Sequence, residues 1–593
     1  MSTLVHRFKS VIVDDGMKPF ALTKRVLILC SVLIGLLAAM SAVLLKNGIH
    51  LIRLFIQLIV YHFGADFIYI LLPVIGILLT TYYVQTFLKG KLGRGITNIL
   101  FNISRRSGNV PQDKVYSQMI TSILTVGFGG SAGLEAPIAS TGAAIGSVVA
   151  RRFGFGVKER ILLLACGAAA GVSAIFNAPI AGVIFALEVL LVDMPLPVVV
   201  PILISSATAA LFSKFIFSGQ PFVLITDSWN AHHFPYFVLF AILCALVSVI
   251  CKKIYFFFED FTAKHHSPYR NAIIGGLILG VFIYLIPPLF GEGYDSVQSL
   301  LQNQPDLLRP SWIHLNTIGP WLIVLSAFLL VFLKVTATSI TVSSGGNGGM
   351  FGSSLFMGAM FGFAYSRSIN LLGITQLNEI NFIVIGMAAL MSGIIHSPLT
   401  AIFLIAEITS GYALLVPLMI VTSVCFLITR YYSPSSVYTR KLIQQGNLPE
   451  ANKDLVVLNQ MKLSRYVERN FSIMKPDQTL GELVQAISVS KRNIFPVVEE
   501  DGSLAGVILL DDIRSIMFSK EKYPTTILKD LMTPAPAILD VKDSMREVMD
   551  IFESCGAWNL PVVDDGRYIG FVSKSAIYSQ YRELLVKETA LPA

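Results

Sequence analysis

The sequence predicts an α-helical polytopic membrane protein, built on an internal repeat with many broken helices, that carries a small C-terminal α/β domain. Three observations predict it. The 593 residues are 54% hydrophobic and only 14% charged, where soluble domains carry about 25% charged residues. Many stretches approach the roughly 20 apolar residues that cross a bilayer. From Tyr438 onward charges are interspersed again, as in a soluble domain.

In chain order, residues 1–22 are polar and are expected to form a cytoplasmic N-terminal segment. The apolar core Val26–Leu45 follows, too long for a cleaved signal, and is expected to direct insertion itself. Phe67–Val84, Tyr236–Ile250, Ile273–Leu285 and Trp321–Leu333 mark further plain spans. Pro137–Val149, Pro179–Leu191, Pro398–Ile408 and Leu414–Ile428 are shorter or interrupted by Gly or Pro. Uneven helices of this kind belong where irregular backbone lines a site inside the protein. The transmembrane region is placed at 23–430. Its basic residues cluster at span ends, as in Lys24 with Arg25, Arg105 with Arg106 and Arg151 with Arg152. The net charge of +8 therefore reads as a topology signal and not as a nucleic-acid surface. The cysteines (Cys30, Cys166, Cys244, Cys251, Cys425, Cys555) lack paired spacing, so neither a disulfide framework nor a metal site is expected.

The stretch Gly127 to Gly146, GFGGSAGLEAPIASTGAAIG, holds one carboxylate, Glu135. An acid inside a membrane domain is costly and points to function. Gly129, Gly130 and Gly133 permit close backbone approach, and Pro137 suits the first turn of a helix. The residues thus predict a loop that delivers Glu135 to a helix N-terminus, whose free N–H groups form an anion site. Glu135 can occupy that site and an anion can displace it. The alternative is a helix-capping acid with no further role.

The membrane region repeats itself. GGSAGLEAPIASTGAAIG (129–146) aligns without gaps on GGNGGMFGSSLFMGAMFG (345–362), and APIAGVIFALEV (178–189) on SPLTAIFLIAEI (397–408). Glu188 pairs with Glu407, and both are expected to serve structure, by satisfying backbone N–H groups or by pairing with a basic residue. Glu135 pairs with Phe351, so the two halves share backbone geometry but not chemistry. Repeats of this sort place a binding site between paired helix starts. The tail repeats too: FPVVEEDGSLAGVILLDDI (495–513) matches LPVVDDGRYIGFVSKSAI (560–577). Each half reads strand, acidic turn, strand, helix, and the two are expected to pack together at 460–518 and 525–585, after a linker at 431–459. No nucleophile–base pair, metal cluster or complete phosphate loop stands in the apolar region, which argues against an enzyme.

Together these motifs resemble the CLC family of chloride channels and proton-coupled chloride transporters, followed by a tandem CBS pair. GxxGxEGP stands here as Gly130 to Pro137, FNAPLAG as Phe176 to Gly182, GGIFAPSLFIGA as Gly348 to Ala359, and SxYxxKL as Ser436 to Leu442. The resemblance implies a homodimer with one pore per subunit and an inverted repeat. It implies that Glu135 is the gate, that the backbone at Gly349, Met350, Phe351 and Gly352 binds the anion, and that Tyr438 closes the inner side. Adenosine nucleotide is implied as a ligand of the CBS pair, with no cofactor required for transport. Asp512 and Ser573 each keep half of the nucleotide pattern, which leaves a purely structural role equally open.

Three departures matter. Arg94 stands at the family's anion-binding serine, where it either joins the anion path or points toward the membrane surface. Gly352 stands for an alanine, which is expected to loosen that helix start. Val189 stands where proton-coupled members usually carry a glutamate. The simplest expectation is a chloride or small-anion channel, gated by voltage or pH, in a prokaryotic plasma membrane with the CBS pair cytoplasmic. A proton-coupled antiporter is the alternative. A membrane-anchored nucleotide sensor with vestigial transport is the further one.

Overall fold

The computed structural model describes residues 19–63, 67–190, 199–216, 228–264, 267–302, 319–409, 411–445, 458 and 461–589. Contacts divide the chain into two compact units, 1–448 and 449–593. Most of the N-terminal segment, the linker's 446–457 and 459, and residue 460 at the expected start of the first CBS domain lie outside the described residues. The expected linker start at 431–445 belongs instead to the first unit, because Tyr438 and Leu442 are buried in its core.

The first unit is helical throughout: α1 (Pro19–Phe63), α2 (Ile68–Phe87), α3 (Gly95–Arg106), α4 (Lys114–Gly127), α5 (Glu135–Arg152), α6 (Val157–Phe176), α7 (Pro179–Phe185), α8 (Val199–Ile216), α9 (Phe234–Ala263), α10 (Pro268–Leu285), α11 (Tyr294–Leu301), α12 (Pro320–Ser343), α13 (Met350–Leu371), α14 (Glu379–Ile395), α15 (Pro398–Ile408), α16 (Leu415–Tyr432) and α17 (Arg440–Gln444). Among the described residues, eight helices are long and apolar enough to cross a membrane. Proline stands in the first turn of α7, α9, α10, α12 and α15, where its missing N–H costs nothing. Helices α5, α6, α13 and α14 are buried along most of their length and form the inner layer. Outer helices keep an apolar face exposed, such as Leu29, Leu33 and Met40 on α1 or Leu211 and Phe215 on α8, as suits lipid contact.

The repeat is visible as a two-fold relation. Asn177 and His396 both end their helices in the left-handed region, at φ 54° and 65°. Glu188, in the π-turn that extends α7, accepts from the N–H groups of Leu399 (3.0 Å) and Thr400 (2.8 Å) at the start of α15. Glu407 on α15 accepts from Ile180 (3.0 Å) and Ala181 (2.8 Å) at the start of α7. Each acid caps the other repeat's helix, and such reciprocity is what a two-fold axis generates. Both acids therefore serve the fold, as their symmetric spacing predicts.

The second unit holds two small α/β modules. In the first, β1 (Ile494–Val498) pairs antiparallel with β2 (Leu504–Leu509), flanked by α18 (Leu480–Val489) and α19 (Leu510–Ile513). In the second, β4 (Asn559–Asp564) lies between parallel β3 (Leu539–Asp540) and antiparallel β5 (Arg567–Ser573), flanked by α20 (Met545–Cys555) and α21 (Lys574–Thr589). Thr479 with Glu482, and Ser544 with Glu547, form matching capping boxes on α18 and α20. Ile494 and Val507 of one module share a core with Phe571 of the other, so the two pack together.

Candidate anion site

The site is assembled where the two repeats meet. The loop before α5 and the loop before α13 each turn on a glycine in the left-handed region, Gly129 at φ 96° and Gly345 at φ 109°. The loops are then tied crosswise. Ser131 N–H donates to Thr341 Oγ1 (3.1 Å), and Asn347 N–H donates to Thr125 Oγ1 (3.0 Å). Gly133 and Gly349 exchange two backbone hydrogen bonds of 2.9 Å. A Cβ at Gly133 would stand 2.7 Å from the amide nitrogen of Gly352, so only glycine lets the two helix starts come this close. Asn347 is held in turn by Gln118 and Thr121, through its side-chain amide.

Glu135 opens α5 and is 1% exposed. Its side chain reaches across to the other repeat, where Gly352 N–H donates to Oε2 at 3.1 Å. Tyr294 Oη donates to Oε1 at 2.6 Å. The amides of Met350 and Phe351, in the same first turn of α13, likewise lack intrahelical acceptors. The Phe351 ring packs between Phe176 and Phe185, at centroid distances of 5.8 and 6.3 Å, which buries the side chain and leaves the backbone facing the site.

Tyr438 is buried, and its hydroxyl makes no hydrogen bond of regular geometry. Thr97 Oγ1 fixes its position by donating to Tyr438 O at 3.0 Å. A cavity of about 250 Å³ leads up to it, lined among others by Arg94, Gly349, Met350, Tyr438, Tyr255 and Glu259. Sequence reading and structure thus bring together Glu135, Gly349, Met350, Phe351, Gly352 and Tyr438. Arg94 lines the wall of the same cavity. It precedes α3 and pairs with Glu259 of α9 at 2.5 Å, with 43% of its side chain exposed. Its charge is paired at the cavity wall, on the approach to Tyr438. An exposed pair is weak, about 0.2–1 kcal/mol. Glu259→Gln is therefore expected to lower the chloride concentration for half-maximal flux from that side about twofold, and Arg94→Ser to raise it. Shifts of the same sign in both variants would remove this account of Arg94.

Val189 is half-buried beside the capping Glu188. In the second unit, Asp512 is exposed on α19, while Ser573 Oγ accepts from Ala576 N–H at 3.2 Å and starts α21. Among the described residues no group of His, Cys, Asp and Glu could hold a metal.

Several charged or polar groups near the gate, buried or half-buried, were not singled out from the sequence. Lys46 Nζ donates to Ile175 O (2.7 Å), and Lys334 Nζ to Gly291 O (2.8 Å). Glu292 comes from the loop ahead of α11, and Tyr294 is the first residue of that helix. The signal was present: Gly291-Glu292-Gly293-Tyr294 brackets an acid with glycines, as the loop at Glu135 does, and Lys334 is a lone cation in the middle of a span.

An inverted-repeat membrane protein whose two halves aim helix starts at one buried acid is of the class that moves anions. The chain belongs to the CLC family: residues 75–430 match the profile "Voltage gated chloride channel", and 463–519 and 528–583 each match the CBS domain. It is 26% identical to chloride channel protein CLC-e of Arabidopsis thaliana, over 83% of this chain and 76% of that one. It is 30% identical to a voltage-gated ClC-type chloride channel, ClcB, of Escherichia coli, over 54% and 73%. Among solved structures, a slow cyanobacterial Cl⁻/H⁺ antiporter superposes with TM-score 0.60 at 21% identity, over 72% of this chain and 99% of that one. A CLC-type fluoride/proton antiporter gives TM-score 0.59 at 24% identity, over 71% and 98%.

Proposed function

We infer that the protein is a proton-coupled transporter of chloride or a similar small anion, with Glu135 as both gate and proton carrier. One observation carries the reading. The Glu135 carboxylate sits against the Gly352 amide, in the place a helix start offers to an anion. In place of water, the transported ion would meet the amides of Met350 to Gly352 and the Tyr438 hydroxyl. Protonation of Glu135 removes the competing charge and lets the ion in. The carboxylate on one side and Tyr438 on the other close the path at both ends, which suits exchange better than an open pore. The two antiporters named above support the same choice.

A passive channel is the second reading. It is favoured by Val189 at the inner acid position and by the names of the two sequence relatives. We take the protein to assemble as a homodimer with one path per subunit, in a plasma membrane, with the CBS pair as a cytoplasmic adenosine-nucleotide sensor or brace. Chloride efflux from proteoliposomes recorded together with external pH separates the readings. Protons driven uphill by the chloride gradient support exchange, whereas chloride flow with no proton movement supports the channel. Absent flux together with tight nucleotide binding would turn the assignment toward a sensor.

A further inference from the structure

Glu135 is held from two directions, and only one belongs to the repeat. The Gly352 amide comes from α13, while the Tyr294 hydroxyl comes from the first residue of α11, just behind a separate loop. That loop is pinned. Gly291 and Gly293 take φ 58° and 86°, and Lys334 of α12 donates to Gly291 O at 2.8 Å. A Cβ at Gly293 would stand 2.6 Å from the Phe356 ring, so the loop lies directly on α13. A Cβ at Gly352 would stand 2.6 Å from Tyr294 Oη and 2.8 Å from Glu135 Oε1. The departure from the family's alanine at this position is thereby explained. Glycine makes room here for a hydroxyl on the gate.

We propose that Tyr294 is the latch of the gate, a positioning residue that holds the Glu135 carboxylate in the anion site and sets how readily acid or an anion displaces it. The inference rests on Glu135 being the gate. The other titratable groups that act on Glu135 are Lys46 of α1, Glu292 beside the latch, and Tyr438; Lys334 and Arg53 act on Glu292. All of these stay in place when only the Tyr294 hydroxyl is removed. A hydrogen bond to a charged group is worth a factor of about ten or more in an equilibrium.

The test is chloride efflux from proteoliposomes as a function of pH, for wild type, Tyr294→Phe, Glu135→Ala and the double variant. Tyr294→Phe is expected to be about tenfold faster at neutral pH, with its acid activation moved to higher pH. The double variant should match Glu135→Ala alone, since the latch acts only through the gate. Gly352→Ala, which crowds the hydroxyl, should shift rate and pH profile in the same direction and serves if Tyr294→Phe does not fold. Wild-type rate and pH profile in Tyr294→Phe, with Glu135→Ala activated, would remove the latch and leave the gate. Glu135→Ala indistinguishable from wild type would remove both. A double variant faster than Glu135→Ala would show Tyr294 acting elsewhere, against the proposal.

Discussion

Glu135→Ala is expected to move chloride faster than wild type at neutral pH and to lose all dependence on pH. In the wild-type protein the carboxylate is fixed by two hydrogen bonds, from Gly352 N–H and Tyr294 Oη. Bonds to a charged group contribute about 1.5–3 kcal/mol each. An entering anion must displace that carboxylate, or wait for it to be protonated, so acidification speeds wild-type flux. Alanine leaves the amides free at every pH, and the gain in rate should be tenfold or more. Under the exchange reading the variant also stops carrying protons, because no other acid replaces Glu135 in the anion site. Efflux traces across a pH series check both points. A variant that is slow, or that keeps the wild-type pH profile, would count against the gate.

The second large effect is on assembly. Helices α13 and α14 cross backbone to backbone: a Cβ at Gly358 would stand 2.1 Å from Gly386 O, and one at Gly386 would stand 2.3 Å from Gly358 O. The other repeat has the same crossing, where Gly142 and Gly167 would meet each other's carbonyl oxygens at 2.0 and 1.9 Å. Nothing in either contact is a flexible side-chain end, so the helices themselves would have to part. Overpacking a fitted core costs about 1–3 kcal/mol for small additions, and more when backbone must move. Gly358→Leu is expected to leave no monodisperse protein on size exclusion in detergent, and Gly358→Ala to lower the thermal midpoint clearly. Gly411→Ala, whose Cβ would meet only Thr409 O at 3.8 Å, should behave as wild type. Equal behaviour of Gly358→Ala and Gly411→Ala would contradict the close crossing. The effect should reach the site as well, since α13 carries the amides of Met350 to Gly352 at its start.

Much of this was legible in the sequence, because an internal repeat encodes its own geometry. The glycine spacing shared by 129–146 and 345–362 marked the two loops whose helix starts meet. The paired acids Glu188 and Glu407 stood out as equivalent structural positions in the two repeats. Glu135 stood out because charge is rare in such a chain. Less legible was whatever depends on a contact between elements distant in sequence. Tyr294 lies 159 residues from Glu135 and gives no local sign of its partner. Gly352 gives no local sign of Tyr294, which takes the space beside it. Arg94 could be weighed either way from its motif, since its partner, Glu259, stands 165 residues on. The end of the membrane unit was also hidden. The chain turns polar near Tyr431, yet folds on through Tyr438 and Leu442 into the apolar core.

The central claim is that the Glu135 carboxylate occupies an anion site built from helix-start amides. Anomalous diffraction from crystals of Glu135→Ala and wild type grown in bromide tests it most directly. The account predicts a bromide peak in Glu135→Ala within hydrogen-bond reach of the Gly352 amide, where the wild type shows only the carboxylate. No halide there in the variant, or the same halide beside an undisturbed carboxylate in the wild type, would contradict it.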